Sequence, residues 1–514
     1  MQLSAMQSTK NVTASPLNRA LRLMLAAFVL ALFGAGTAQS TITVAVGSGP
    51  AGFDPQANNS SATSGIYINL FEYLIFKDAD GNFEPALATS WEAIDPLAWR
   101  VTLREGVKWH DGERFDAEDV KFTFERVAND PTLVRHSYYA HITEVEIVND
   151  YEVIIHTSRP DPIMPSNLSR NGASVIPQHY YEAVGVEQAA RVPVGTGPYK
   201  YSEYRTDDRL VLEAFDDYWG GRPYYDVAVF RIIPESSTAV SELLTGGVEI
   251  VTSVRQTELS RIENSRSADV KTVIGNTVYF ISYNNSPDAP TGDVRVRQAV
   301  DYAIDDALMA EVLQEGYGVP VLGRVSPTTS GSPMQLFDAY NYDPERAVEL
   351  LAEAGYGPGD LTLVFQGSTG YADYFDLAAA MLNEVGINTQ IEMYEGSVWA
   401  TMNSTFVNLN ISGASDSSFD YGNSLIDLTC PDGVYAKRVR WCNDEYSALV
   451  AEANGEFDVE RRYQLLQDAT DILVAELPIS YLYNAASFTG VATGVEFTPR
   501  ADSLIVLKDS KPAQ

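Results

Sequence analysis

Apolar and polar positions alternate along much of this chain, and where they do so on both sides of a short polar break they predict hairpins. The clearest case is Glu144 to Val148, the pair Asn149-Asp150, and Tyr151 to Ile155, because a two-residue turn of Asn and Asp suits the twist of paired strands. Lys200 to Tyr204 and Arg209 to Phe215, separated by Arg205 to Asp208, predict a looser hairpin, and Ile42 to Val46 reads as a short apolar strand. Elsewhere the period lengthens. Asp116-Ala-Glu-Asp119 puts capping acids ahead of Val120, Phe124 and Val127, which are spaced to line one helical face. Asp343-Pro344 opens a second helix, with Ala347, Leu350, Leu351 and Ala354 inward and Gly355 as its stop. Leu361 to Phe365, Tyr374 to Val385 and Ile387 to Tyr394 read as strand, helix and strand, a sequence of elements that fits a parallel unit with a right-handed crossover. The fold class is therefore α/β with mixed sheets and inserted antiparallel hairpins. No internal repeat, low-complexity tract or Pro/Gly/Ser-rich linker interrupts the chain after its first 38 residues, so its domains must be joined by segments of ordinary composition.

The first 38 residues carry Lys10, Arg19 and Arg22 and no acid, then the apolar run Leu23 to Phe33, then Gly34 to Gln39. Positive, apolar, small is the order of a secretory signal peptide, with cleavage expected after Ala38. The apolar run is well short of the roughly 20 residues a permanent membrane helix needs. No cysteine lies near that point, so no lipid anchor is expected and the mature chain is predicted to be free in the periplasm. The whole chain holds 69 acidic and 35 basic residues, a formal charge of −34, and loss of the leader makes it more acidic still. A surface so negative repels phosphate backbones and anionic lipid, which excludes nucleic acid and membrane surfaces as partners. With 514 residues, of which 45% are hydrophobic, it can bury a core in two or three domains. Its two cysteines, Cys430 and Cys442, flank the turn-prone Pro431-Asp432-Gly433. In an exported protein they read as a disulfide worth on the order of 3 kcal/mol, the alternative being two free thiols.

Motifs for chemistry are few. Gly47-Ser-Gly49-Pro-Ala-Gly52 has the spacing of a dinucleotide-binding loop and follows a strand, but Pro50, Pro55 and the polar run Asp54 to Ser61 leave no room for the helix whose N-terminus would face a pyrophosphate. A tight glycine loop bordering a cleft is the better reading. The five histidines, His110, His136, His141, His156 and His179, all precede residue 200 and form no metalloprotease pattern. There is no nucleophile elbow and no phosphate-binding loop ending in Gly-Lys. No catalytic residue, metal ligand or cofactor is expected. The 29 tyrosines and six tryptophans permit a cleft that grips sugars or peptides without requiring one.

From Leu97-Ala-Trp-Arg-Val-Thr-Leu-Arg-Glu-Gly-Val-Lys-Trp-His-Asp111-Gly112 into Phe115-Asp-Ala-Glu-Asp-Val-Lys-Phe122, the chain resembles the family 5 extracellular solute-binding proteins, the dipeptide, oligopeptide and nickel group. Gly195-Thr-Gly-Pro-Tyr199, Tyr218-Trp-Gly-Gly-Arg-Pro223, Phe230-Arg-Ile-Ile-Pro234, Val294-Arg-Val-Arg-Gln-Ala-Val-Asp-Tyr-Ala-Ile304 and Asp343-Pro-Glu-Arg-Ala347 continue the resemblance in order. It implies two lobes closing on a ligand by a hinge. Lobe one is expected at 39–83, 84–199 as an inserted subdomain, 200–282 and 482–514; lobe two at 283–481; hinges at Phe280 to Asn285 and Ile479 to Asn484. Arg440-Trp441-Cys442 is similar to the end of the disulfide loop in dipeptide binders. The function implied is that of a monomeric, non-catalytic receptor that hands a peptide or peptide-like solute to an inner-membrane ATP-binding cassette permease. An oligosaccharide, an opine or another polar solute is the alternative ligand, and an exported hydrolase a more distant one. Dipeptide binders carry a Gly-Trp-x-x-Asp-x-x-Asp-Pro loop, whose counterpart here is Gly413-Ala-Ser-Asp416-Ser-Ser-Phe-Asp420-Tyr421. Ala414 replaces the Trp, the amine-binding position falls on Ser417 beside Asp416, and Gln366 to Tyr371 lacks the arginine that would meet a carboxylate. Ligand contacts are accordingly expected from Gly49 and Phe53 on one side and Tyr371, Asp416 and Asp420 on the other.

Overall fold

The computed structural model describes residues 40–58, 61–402, 406–416, 418–431 and 433–513; the leader and its cleavage point at Ala38, together with Ser417, lie outside them. From Thr41 onward the chain forms a single contact unit built on an eleven-stranded mixed sheet.

The strand Thr41–Val46 sits between two parallel neighbours, Val227–Ile232 and Ile250–Val251, and its near-continuous apolar run is what burial on both faces requires. The predicted second hairpin, Tyr199–Arg205 and Arg209–Ala214, extends this side of the sheet. On the other side, Ile250–Val251 pairs with the long strand Ile479–Ala492, which pairs antiparallel with the still longer Ala268–Tyr283. These two strands tie the halves of the protein together. Beyond them lie Leu409–Ala414, Thr362–Ser368 and Asn388–Tyr394, the last two parallel and joined by the helix Ala372–Glu384, as the strand, helix, strand pattern predicts.

The two long strands break register at two places, a small shift between Tyr279 and Phe280 that skips Leu482 and a larger one before it. Ile274 pairs with Ala486 and Val278 with Asn484, so Gly275, Asn276 and Thr277 face Ala485 alone. Such a bulge frees three residues from the ladder and bends the strand. The chain's hydrophobic cores divide near it. Ala268 and Phe488 pack with Val240, Leu243 and Ile262. Val278, Phe280, Ile281, Ile479 and Leu482 pack in the two cores of the other half, with partners such as Leu363, Phe375, Leu466 and Leu473.

A separate four-stranded sheet, ordered Ala88–Asp95, Ala98–Leu103, Glu152–Thr157, Ile142–Asn149, carries the first predicted hairpin. Its turn is one residue later than the alternation suggests, at Asp150-Tyr151, because a register shift between Ile147 and Asn149 brings Asn149 opposite Glu152. The helix Ala117–Asn129 covers this sheet. Asp116 and Asp119 form a capping box at its start, and Val120, Phe124 and Val127 are buried as their spacing requires. The helix Pro344–Glu353 has Asp343 as its cap, buries Ala347, Leu350 and Leu351, and ends before Gly355 at φ +94°. The two cysteines form a disulfide with Cα atoms 5.5 Å apart. Among the described residues no helix is long and apolar enough to cross a membrane.

Candidate functional site

A cavity of about 350 Å³ opens where the bulge, the residues Ser415, Asp416 and Phe419, and the first half of the chain converge, within the size range of small-ligand pockets. Its walls come from positions far apart in sequence: Lys77 at the end of a short strand, Arg135 and Tyr138 around the turn of helix His136–Tyr139, Ser169 to Asn171 after Met164–Asn167, Arg324, and Ala501 to Leu504 near the C-terminus. Residues freed by the bulge, Gly275 to Thr277, form part of the floor. Asn276 fixes the bulge to the loop by donating its amide to the Asp416 carbonyl at 2.6 Å.

Asp416 lines this cavity. Its carboxylate accepts from the Ser418 backbone N–H at 2.8 Å, the Asn423 amide at 3.0 Å and the Ser424 hydroxyl at 3.1 Å. Burial alone would push its pKa up, but Arg170 and Arg324, with the Asn423 and Ser418 hydrogen bonds, hold it below the usual carboxylate range, so it is ionised. Arg324 donates to the Ser415 carbonyl at 3.1 Å and pairs with Asp427 at 2.8 Å. It brings an arginine to the cavity wall from an element other than Gln366 to Tyr371. Gln366 itself serves the sheet, accepting from Val407 N at 2.7 Å and donating to Glu392 at 2.7 Å.

Across the cavity, Lys77 reaches from one half of the chain to the other. Its ammonium donates to the Ser418 carbonyl at 2.5 Å and to Ser166 Oγ at 3.0 Å, between the rings of Phe83 and Phe419. Ser166 donates to the same Ser418 carbonyl. Burial, followed by the neighbouring Arg170, lowers the Lys77 pKa to about 8 against the pull of Asp416 and Asp502. The buried Arg135 donates Nε to the Asn58 carbonyl at 2.9 Å, and the Arg170 guanidinium lies 3.8 Å from the Tyr138 ring centre. Asp502 is held by Arg500 through two hydrogen bonds of 2.9 and 2.5 Å.

The other residues expected at the site lie elsewhere. Phe53 is 1% exposed and packs against Tyr67, Tyr201 and Tyr204, inside the core of the first half. A Cβ on Gly49 would come within 2.5 Å of Ile232 and 2.7 Å of Tyr204 Oη, so this glycine serves close packing. The nearest helix after the loop is Ser61–Tyr67, which places no helix N-terminus at the third glycine. Asp420 is 3% exposed, pairs with Arg462 at 2.7 Å and caps the helix Tyr421–Ile426 through Asn423 N. Tyr371 belongs to a cluster with Tyr279 and Tyr374, off the cavity wall. Lys77, Arg135, Arg170 and Arg324 escaped the sequence reading. Their one signal is that they are basic residues in a chain where acids outnumber bases almost two to one.

Two sets of cores joined by a pair of long strands, with a polar cavity at their junction, define a two-lobed solute-binding protein. A profile of the bacterial extracellular solute-binding proteins, family 5, matches residues 82–435, and the chain belongs to that family. It is 27% identical over 482 residues to the dipeptide-binding protein of Escherichia coli, covering 87% of this chain and 90% of that one. To heme-binding protein A of Haemophilus influenzae it is 28% identical over 503 residues, covering 90% and 89%. The structure of the periplasmic binding protein DppA of Helicobacter pylori with the peptide STSA superposes with a TM-score of 0.76 at 25% identity, over 91% of this chain and 97% of that one.

Proposed function

We propose that this protein is the substrate-binding component of an ATP-binding cassette importer and captures a peptide or peptide-like solute between its lobes for delivery to a membrane permease. The observation that carries the reading is the cavity wall, where an ionised Asp416 stands among the cations Lys77, Arg135, Arg170 and Arg324, as recognition of a ligand with both an ammonium and a carboxylate requires. The peptide-binding relatives support the same ligand class. Asp416 uses three of roughly four acceptor positions on neighbours, leaving one for a ligand ammonium. The receptor works by reversible closure with no turnover, as a monomer exported to the periplasm by its leader and released at Ala38. Lobe one is assigned to 39–282, with 84–199 as its subdomain, and to 482–514; lobe two is assigned to 283–481. The hinge is placed a few residues inside these limits, at Gly275 to Thr277 and Ala485, because the larger of the two register breaks and the division between cores support that position.

Native mass spectrometry of the mature protein purified from its own host, followed by identification of the small molecule released on unfolding, tests this reading. Released peptides or peptide-like molecules are expected. A sugar, or a ligand that is consumed on incubation, would refute it.

A further inference from the structure

Two groups on the lobe-one wall of the cavity keep hydrogen-bonding capacity that the chain itself does not use. Arg135 is held from behind. Its backbone N–H donates to the Gln56 carbonyl at 3.2 Å, its Nε donates to the Asn58 carbonyl at 2.9 Å, and its stem packs on Gly172, where a Cβ would come within 2.9 Å of Arg135 Cγ. Among the described residues its two Nη nitrogens make no hydrogen bond or ion pair, and the groups acting most strongly on it, Tyr138, Arg170, Tyr139 and Tyr73, include no carboxylate. Tyr73 is 2% exposed and lines the same wall, and its hydroxyl has no hydrogen-bond partner among the described residues. Asp502, Tyr139, Arg135 and Arg500 act on that hydroxyl, which places it beside Arg135 on the side of this cavity. Asp502 is neutralised by Arg500 and has both oxygens in use, Oδ1 accepting from Arg500 Nε and the Leu504 N–H and Oδ2 from Arg500 Nη2. Donors buried without a partner are unfavourable until one arrives. On lobe two, by contrast, Arg324 commits Nη1 to Asp427 and the Ser424 carbonyl and Nη2 to the Ser415 carbonyl.

Resting on the receptor reading above, we infer that a ligand carboxylate docks on lobe one, on the Arg135 guanidinium and the Tyr73 hydroxyl, while the ligand's ammonium docks on Asp416 of lobe two. The outer edge of a guanidinium offers two parallel N–H donors to a carboxylate, and the phenol adds a third donor. The family resemblance expects the carboxylate on an arginine of the Gln366 to Tyr371 segment, in the same lobe as Asp416. Here the two charged ends of the ligand lie on opposite lobes. The ligand itself then ties the lobes together, and a molecule that lacks either end holds the closed form less well.

Isothermal titration of the mature protein, stripped of bound ligand, with Ala-Ala, its C-terminal amide and its N-acetyl derivative separates the two ends. Wild type is expected to bind Ala-Ala at least about tenfold tighter than either blocked form. In Arg135→Gln the preference for the free acid over the amide should fall toward one, and in Tyr73→Phe it should fall about threefold. Both variants should keep the preference for the free amine over the N-acetyl form within about twofold, a pattern that general damage to the fold does not produce. Asp416→Asn should show the reverse, losing the amine preference and keeping that for the acid. A free-acid preference that survives Arg135→Gln, or that is absent from wild type, overturns the inference while leaving the peptide-receptor reading intact. If Ala-Ala does not bind, the molecule released from host-purified protein decides. One without a carboxylate overturns the inference. One with a carboxylate supports it where Arg135→Gln from the same host carries less of that molecule than wild type, and overturns it where occupancy is unchanged. A carboxylate-bearing solute that is lost from Arg135→Gln but is not a peptide supports the docking on lobe one and refutes the peptide reading alone.

Discussion

Asp420 can be tested as a structural group because the geometry gives it a partner whose loss has a calculable cost. Its carboxylate is 2.7 Å from Arg462 Nη2, with the residues 3% and 6% exposed, and Arg462 is further anchored by donating Nε to the Ala453 carbonyl at 3.1 Å. Replacing Arg462 with Met keeps most of the side-chain volume but leaves a buried carboxylate with no countercharge. Breaking a buried pair in this way costs about 3–5 kcal/mol. Asp420→Asn removes the charge instead while keeping a good capping residue for the helix Tyr421–Ile426, so it should cost about 1–2 kcal/mol. Combined with Arg462→Met it should recover part of the loss, a coupling of at least about 1 kcal/mol. Urea unfolding followed by tryptophan fluorescence reports on this region directly, because Trp441 belongs to the same core as Leu465 and Leu466. Ligand affinity of Asp420→Asn should stay within about threefold of wild type. If Arg462→Met destabilised by less than about 1 kcal/mol, or Asp420→Asn abolished binding without loss of stability, the structural assignment would fail.

Other expectations follow from single contacts. Lys77 has a folded pKa of about 8, below its unfolded value of 10.5, so between those pH values the unfolded chain holds more proton and folding becomes more favourable as pH rises. Relative to Lys77→Met, wild-type stability should therefore increase by roughly 2–3 kcal/mol from pH 7.5 to 10.5 in paired denaturation curves, and a flat difference would contradict the burial. Gly49→Ala forces a methyl into Ile232 and Tyr204 and should cost about 1–3 kcal/mol in the same assay, with a loss under about 0.5 kcal/mol arguing against the tight packing. Replacing both Cys430 and Cys442 with Ser should lower stability by about 3 kcal/mol through release of a short loop in the unfolded chain, and an unchanged denaturation midpoint would argue against that account.

What the sequence revealed and what it withheld divide along the distance between interacting residues. Capping at Asp116 and Asp343, the 3.6-residue face of Val120, Phe124 and Val127, and the parallel unit around Ala372–Glu384 depend on neighbours within a few turns, so pattern alone exposes them. The hairpin turn at Asp150-Tyr151 was missed by one residue because a bulge decides it, and a bulge has no fixed sequence mark. Cavity residues have even less local signal. Asp416 was singled out through the resemblance of its loop, with Asp420, four positions on, as the second candidate; Asp420 is committed to Arg462, a partner 42 positions away that sequence spacing cannot reveal.

The same distance explains the arginine that seemed absent. The resemblance leads one to expect a carboxylate-binding arginine on the Gln366 to Tyr371 segment, which carries none. Arg324 reaches the Asp416 loop because the Asp416 loop follows Leu409–Ala414, which pairs with Ala268–Tyr283, and Ser326 just after Arg324 donates to the carbonyl of Gly275 in that strand's bulge. A bulge three residues long thus does two jobs, bending the crossing strands and gathering Arg324, Asp416 and Asn276 at one point. If that bulge is the hinge proposed above, motion there moves Lys77, Arg135 and Arg170 relative to Asp416 as the cavity closes.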